Sequence, residues 1–260
     1  MSERDIQFDD GAQYERSMGA WSQLAGNIFL DWLAPPAGLR WLDIGCGNGA
    51  FTELVAQRCV PAELQGCDSS EAQLAFARNR PLLQATQFHC GDATKLPYAT
   101  DRFDIAVMAL VVVFLPDPAR GIAEMVRVVR PGGLVATYVW DMLGGGFPLE
   151  PMLAQLREMG LTPPAPRQVS ASRMNALRRL WIGAGLQSVE THEITVRRTF
   201  ANFDEFWSIN TTSATVAPTI SALALDDVTR FRNGVRARLP ADPQGRIIYE
   251  ARAHAIKGTL

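Results

Sequence analysis

Eight residues constrain this chain more than any others: Leu42-Asp43-Ile44-Gly45-Cys46-Gly47-Asn48-Gly49. They read as a buried strand, with Arg40 and Trp41 leading in, that runs into a glycine turn and opens a helix near Ala50 and Phe51. Glycines at alternate positions let backbone approach a ligand that any Cβ would push away. The helix beyond the turn presents unpaired N–H groups and a partial positive charge. Such a stretch is a candidate cradle for a cofactor, and the remaining sequence decides which cofactor it fits.

Composition narrows the classes. The chain has 260 residues, 47% of them hydrophobic and 20% charged, which is ordinary for a globular protein with a substantial core. A formal charge of -2 carries no electrostatic footprint for nucleic acid or for an anionic membrane. The pair Arg197-Arg198 reads as a solvated strand end. Met1-Ser2-Glu3-Arg4-Asp5 is polar and no apolar stretch of a signal peptide follows it. The longest apolar run, 105–115, is too short to span a bilayer. Cys46, Cys59, Cys67 and Cys90 lack zinc-type spacing and read as small hydrophobes in a reducing compartment, so a cytoplasmic chain without metal is expected.

Strand and helix alternate through the first half. Residues 1–11 are polar, and a helical pattern over 12–33 ends at Pro35-Pro36-Ala37-Gly38. Strands are expected at 40–45, 63–67, 87–90, 103–109 and 134–140, with helices at 50–58, 71–79 and 118–130. Ser69 or Ser70 suits the cap of the second of these helices and Asp117 that of the third, whose stop is Pro131-Gly132-Gly133. Continuous apolar strands such as Ile105-Ala106-Val107-Met108 belong to a parallel sheet covered on both faces. After Trp140 the rhythm breaks. Helices are expected at 149–159, 174–184, 203–209 and 226–239, and strands at 186–199 and 247–256. The chain thus reads as one domain over 1–260, with insertions at about 141–184 and 200–245 placed to cover the cradle.

Gly45, Gly47 and Ala50 satisfy a dinucleotide fingerprint, and Asp68 follows at about the expected ~20 residues. Four features tip the balance away from NAD. Asp43 precedes the glycines inside the strand, where a pyrophosphate has no use for a carboxylate but a cationic ligand does. Gly91-Asp92-Ala93 puts a second acidic turn after the third strand, suited to an exocyclic adenine amine. Asp68 has two oxygens to accept both hydroxyls of a ribose. No second phosphate-binding glycine set or arginine stands nearby. The cradle therefore suits a sulfonium, an ammonium and an adenosine.

These residues resemble the class I S-adenosylmethionine-dependent methyltransferases, in the small-molecule group that includes quinone-biosynthesis enzymes. The resemblance rests on the glycine stretch, Gly66-Cys67-Asp68-Ser69-Ser70, Gly91-Asp92-Ala93, Phe103-Asp104-Ile105-Ala106-Val107, Leu115-Pro116-Asp117-Pro118, and 124–133 ending in Arg130-Pro131-Gly132-Gly133. It covers roughly residues 12–140. It implies a Rossmann-like, doubly wound α/β fold with a seven-stranded sheet of order 3-2-1-4-5-7-6, an antiparallel last strand and helical lid insertions. By position it implies that Asp43, Gly45, Gly47 and Gly49 line the methionine part of S-adenosylmethionine. Asp68 and Ser69 fall at the ribose, Asp92 and Ala93 at the adenine, and Ala109 and Leu110 at the sulfonium. Tyr14, Met18, Trp21 and Ser22 match a segment that folds over the amino-acid end, although Tyr14 and Trp21 fit the core of an amphipathic helix equally well.

The implied reaction moves a methyl group to a small-molecule acceptor and leaves S-adenosylhomocysteine. Many members carry a polar residue after the fourth strand; here that stretch is Val111-Val112-Val113-Phe114, so no general base is assigned. The insertions, rich in Met, Phe, Pro and Thr, point to a hydrophobic or aromatic acceptor. His89, His192 and His254 read as structural. Two other functions remain open at this point: a non-catalytic cofactor-binding or scaffold protein, and an NAD-dependent oxidoreductase.

Overall fold

A computed structural model describes residues 15–260; Tyr14 lies outside the described residues. Seven strands form one sheet in the order β3-β2-β1-β4-β5-β7-β6. They are β1 Arg40–Ile44, β2 Glu63–Asp68, β3 Gln87–Cys90, β4 Phe103–Ala109, β5 Val129–Trp140, β6 Gln187–Phe200 and β7 Ile247–Thr259. The first five run parallel, and β7 is antiparallel to both β5 and β6. Sheet order and strand sense are those expected from the resemblance.

The helices are α1 Ala20–Leu33, α2 Ala50–Cys59, α3 Glu71–Arg78, α4 Pro118–Val128, α5 Glu150–Glu158, α6 Met174–Gly183, α7 Phe203–Asn210, α8 Ala217–Ile220 and α9 Leu225–Ala237. Caps explain several starts. Ser70 Oγ accepts the Gln73 N–H, Asp117 accepts the Arg120 N–H, and Asn202 accepts the Glu205 N–H. The sheet has an apolar layer on each face. One gathers Trp41, Ile105, Val107 and Tyr138 under Phe29 of α1 and Val55 of α2. The other gathers Leu42, Ala106, Met108 and Val135 over Ile122 and Met125 of α4 and Trp181 of α6. Trp181 Nε1 donates to Val135 O at 3.2 Å, so α6 is seated against the sheet.

Several boundaries differ from the sequence expectation, three of them with a clear physical reason. The first helix begins at Ala20, after a wide π-type turn over Glu15–Gly19. The fourth helix ends at Val128, because Val129 is already paired with Phe103 and Pro131 cannot continue a helix. Pro131-Gly132-Gly133 is a bulge within β5: the register steps from Phe103↔Val129 to Ile105↔Leu134, with Gly132 at φ 74°. β7 runs to Thr259 rather than to 256, since Leu134 pairs with Thr259.

Beyond the pair Trp140↔Ala253, where β5 ends, β6 and β7 stay paired from Thr195↔Arg252 to Phe200↔Ile247, with Arg252 still bonded to Asp141 and Gly146 on the β5 side. Six residue pairs reach about 20 Å past the carboxyl edge of the neighbouring strand.

Candidate active site

The carboxyl edge of the sheet holds the site, at the point where β1 separates two helix layers. The Gly45 and Cys46 N–H groups both donate to Cys67 O, at 2.7 and 3.2 Å, and draw the turn over the end of β2. At Gly45 (φ 70°) a Cβ would stand 2.4 Å from Val111 Cγ2, so only glycine lets the post-β4 loop close on the turn. At Gly47 (φ 52°) a Cβ would meet nothing within 4 Å; it would project into open space above the turn. That space is a cavity of about 440 Å³.

Three carboxylates face it from successive strand ends. Asp68 accepts the Gly47 N–H on Oδ2 and the Ser70 N–H on Oδ1, both at 2.8 Å, and each oxygen keeps a lone pair for a ligand. Asp92 accepts the Thr94 N–H and hydroxyl on Oδ1, which lowers its pKa and leaves Oδ2 free of them. Asp43 is 1% exposed, and Thr52 Oγ1 donates to its Oδ2 at 2.6 Å. Its Oδ1 is buried without a hydrogen-bond partner. Burial pushes the Asp43 carboxyl up to about 7 against the lowering effect of Thr52, and Asp68 adds repulsion. A buried acceptor with no donor, at a cavity wall, fits a cationic group arriving with the ligand.

Of the expected site residues, Asp43, Gly45, Gly47, Asp68 and Ser69 line the cavity, as do Asp92, Ala93, Ala109 and Leu110. Gly49, Met18 and Trp21 do not. Gly49 (φ 81°) caps α2 and faces away, where a Cβ would lie 2.9 Å from Leu83 Cδ1 and 3.0 Å from Ala77 Cβ. Met18 and Trp21 are buried in the core layer, and Trp21 packs against Phe200 and Tyr249. Ser22, one residue on, does reach the cavity. His89, His192 and His254 stay outside the wall: His192 stacks on Trp32, and His254 Nδ1 lies 2.8 Å from Ser172 O.

Sequence reasoning missed Phe51, Gln73 and Tyr138, which also line the wall. Tyr138 arrives through the pairing Ala109↔Tyr138, and the Leu110 N–H donates to its carbonyl at 2.8 Å. Leu110 sits at φ 66°, a left-handed conformation rare for a branched residue, and turns the chain into the short 3₁₀ helix Val112–Phe114. Val112 and Val113 are buried, while Val111 and Phe114 face the cavity.

A clamp ties the entering chain to the turn. Arg80 donates through Nε to Asn48 O at 2.7 Å, to Glu53 at 2.7 Å and to Glu15 at 2.8 Å. Asn48 Nδ2 donates to the same Glu15 oxygen at 3.0 Å. Glu15, at the head of the N-terminal turn, is thereby fixed to the middle of the glycine stretch.

Sheet order, strand sense and the acid-rimmed glycine turn together define the class I methyltransferase fold. Residues 42–137 match the family model described as "Methyltransferase domain". Among curated relatives, 2-methyl-6-phytyl-1,4-hydroquinone methyltransferase 2, chloroplastic, of Oryza sativa subsp. japonica is 41% identical over 96 residues, 37% of this chain and 28% of the relative. Ubiquinone biosynthesis O-methyltransferase of Aeromonas salmonicida is 28% identical over 150 residues, 52% of this chain and 62% of the relative. The chain thus covers less than two thirds of the length of either. Among solved structures, phosphoethanolamine N-methyltransferase 2 of Haemonchus contortus, bound to phosphomonomethylethanolamine and S-adenosylhomocysteine, superposes with a TM-score of 0.61 at 16% identity. That match covers 100% of this chain and 60% of the other. YcgJ of Bacillus subtilis superposes with a TM-score of 0.58 at 16% identity, covering 90% and 97%. These likenesses establish the fold. Among the described residues no helix is long and apolar enough to cross a membrane, and no group of His, Cys, Asp and Glu has the makings of a metal site.

Proposed function

We propose that this chain transfers a methyl group from S-adenosylmethionine to a small-molecule acceptor with an apolar or aromatic body, releasing S-adenosylhomocysteine. The observation that carries the reading is the unpartnered, buried Asp43 Oδ1 beside a glycine turn that leaves open space above Gly47. A ligand ammonium would complete that oxygen, whereas a pyrophosphate would meet the carboxylates of Asp43 and Asp68.

In this reading Asp43, Gly45 and Gly47 hold the methionine part, Asp68 and Ser69 the ribose, Asp92 and Ala93 the adenine, and Ala109 and Leu110 the sulfonium side. The cofactor supplies an activated methyl carbon, which is transferred by in-line displacement. The protein's part is to hold the acceptor behind that carbon and to exclude water. Val111 and Phe114 from the post-β4 loop, with Phe51 and Tyr138 opposite, supply apolar walls for that task. Placement does the work, with no side chain assigned as a base. The insertions at about 141–184 and 200–245 are assigned as the lid over the acceptor.

Calorimetric titration with S-adenosylmethionine, S-adenosylhomocysteine and NAD tests the cofactor, with Asp68→Ala as control. Tight binding of the first two, abolished by the substitution, is expected. Binding of NAD alone would overturn the reading. S-adenosylhomocysteine release across acceptor pools then tests transfer, and persistent silence with proven cofactor binding would turn the reading into a binding or scaffold role.

A further inference from the structure

The β6–β7 ribbon overhangs the carboxyl edge on the α1 side, where Trp21 packs on Phe200 and Tyr249 and the next residue, Ser22, lines the cavity. The inward stripe of β6 reads Ile194, Val196, Arg198, Phe200. Its apolar members are 0%, 3% and 1% exposed, so an arginine stands where the alternation calls for a buried hydrophobe. Arg197, its neighbour, points outward and pairs with Glu250; only that half of the Arg197-Arg198 pair is the solvated strand end the sequence suggested.

Arg198 lies on an aromatic platform, with its guanidinium carbon 4.6 Å from the Phe200 ring centroid and 5.9 Å from that of Trp21. Among the described residues its one hydrogen bond is a long contact, from Nη1 to Ser17 O at 3.4 Å. No carboxylate among the described residues forms an ion pair with it; Glu205 acts only at longer range. Burial lowers its pKa, the mark of a guanidinium partly stripped of water. Two other polar groups stand in the same compartment. Trp21 Nε1 is fully buried without a partner. Tyr249, the register partner of Arg198, meets Trp21 edge-on at 6.0 Å and reaches Phe147 O through its hydroxyl at 3.4 Å. Among the described residues most of a five-donor fork is therefore unspent, in a half-buried aromatic setting.

Charge fixes the orientation of whatever uses it. Asp43, Asp68 and Asp92 give the cavity an acidic wall, and positive charge stands at the overhang. We propose that Arg198 determines acceptor specificity by taking the anionic head, a carboxylate or phosphate monoester, of a small molecule whose apolar body lies toward Ser22 and Tyr138. The proposal rests on the methyltransferase reading for the word acceptor, and on Arg198 alone for the anion.

The test uses the full chain, with and without saturating S-adenosylhomocysteine. Benzoate, phenyl phosphate and benzyl alcohol are titrated by ligand-observed NMR into wild type, Arg198→Met and Arg198→Lys. At least one anion should bind roughly tenfold tighter than benzyl alcohol, and the tighter of the two names the head group. Arg198→Met should lose that preference while S-adenosylhomocysteine affinity holds and the Tm stays level or rises, because Met keeps the apolar stem and removes an unpaired charge. Arg198→Lys should retain part of the preference. Equal binding of alcohol and anions, absence of anion binding, or an unaffected Arg198→Met would overturn the proposal. Loss of S-adenosylhomocysteine binding in wild type would instead sink the cofactor reading, and the anion titrations without it still decide the role of Arg198.

Discussion

Asp43→Asn should stabilise the ligand-free protein at high pH and weaken it for its ligand. Asp43 is buried, and its carboxyl rises from 3.8 to about 7 on folding. A folded-state value above the unfolded one means that ionisation opposes folding. The stability that Asp43 allows is complete below about pH 4, falls as pH rises toward 7 and is flat above it. The slope in that window approaches 1.4 kcal/mol per pH unit, and the whole effect is roughly 4 kcal/mol. Asparagine carries no charge and can keep the Thr52 hydroxyl bond. It also sets an amide where Oδ1 has no partner, at a cost of about 1–3 kcal/mol. The variant should thus be about as stable as wild type at pH 5 and more stable by about 2 kcal/mol at pH 8. Urea unfolding at four pH values between 5 and 8 measures the difference. A ligand ammonium reverses the ledger by favouring the ionised carboxylate, so wild-type affinity for S-adenosylmethionine should rise through pH 7 and that of Asp43→Asn should be low and flat. A stability difference that does not change between pH 5 and 8 would refute the reasoning.

Four further outcomes follow from the geometry. Gly47→Val should cut S-adenosylmethionine affinity more than 100-fold by calorimetry, because its side chain enters the cavity, and the Tm should fall modestly from the positive φ. Gly49→Ala should do the reverse, losing about 1–3 kcal/mol in urea unfolding by crowding Leu83 and Ala77, with a smaller change in affinity. Arg80→Gln should raise the S-adenosylhomocysteine off-rate in stopped flow and speed amide exchange over 15–22, as the Glu15–Arg80–Asn48 clamp opens. Arg40 and Arg130 hold the Asp104 carboxyl well below the usual range, so this group supports folding above about pH 4 and that support is lost as pH falls. Asp104→Asn should therefore lower the Tm at pH 7 and flatten its decline toward pH 3.

The sheet and the acidic rim were legible because both are local signals repeated in step. Each of the first three strands ends at the same edge, so Asp43, Asp68 and Asp92, read from three separate strand ends, fall on one cavity. What local pattern cannot say is which way a residue near the turn faces. Gly49 is as close in sequence to the cradle as Gly47, yet its missing side chain makes room for α3 and the following 3₁₀ turn. Trp21 and Ser22 are adjacent on α1 and diverge by about 100°, which sends one to the core and the other to the cavity. Tyr138 had no local signal at all; the neighbour relation of β4 and β5 puts it beside Ala109. The helix-to-strand junction failed for a related reason, since Pro131-Gly132-Gly133 reads as a stop and serves as a bulge.

Arg198 shows how the two kinds of information combine. Alternation from 194 to 200 is visible in the sequence, and with it the arginine in an apolar phase. Taken as a pair with Arg197 it resembles a solvated end, because two adjacent charges look alike to composition. Strand geometry separates them by face: one meets Glu250 in solvent, and the other is pressed on Trp21 and Phe200 with no ion-pair partner among the described residues. Trp21, expected at the cofactor, instead supports this guanidinium. The same stretch of α1 thereby touches both halves of the site, Ser22 at the cavity and Trp21 under the overhang. An acceptor that spans from Arg198 to the cavity mouth would contact α1 along its first turn. Ordering of that turn by the Arg80 clamp then bears on acceptor and cofactor alike, so Arg80→Gln should weaken binding of the anionic probe as well as retention of S-adenosylhomocysteine. An effect on S-adenosylhomocysteine alone would confine the clamp to the cofactor half.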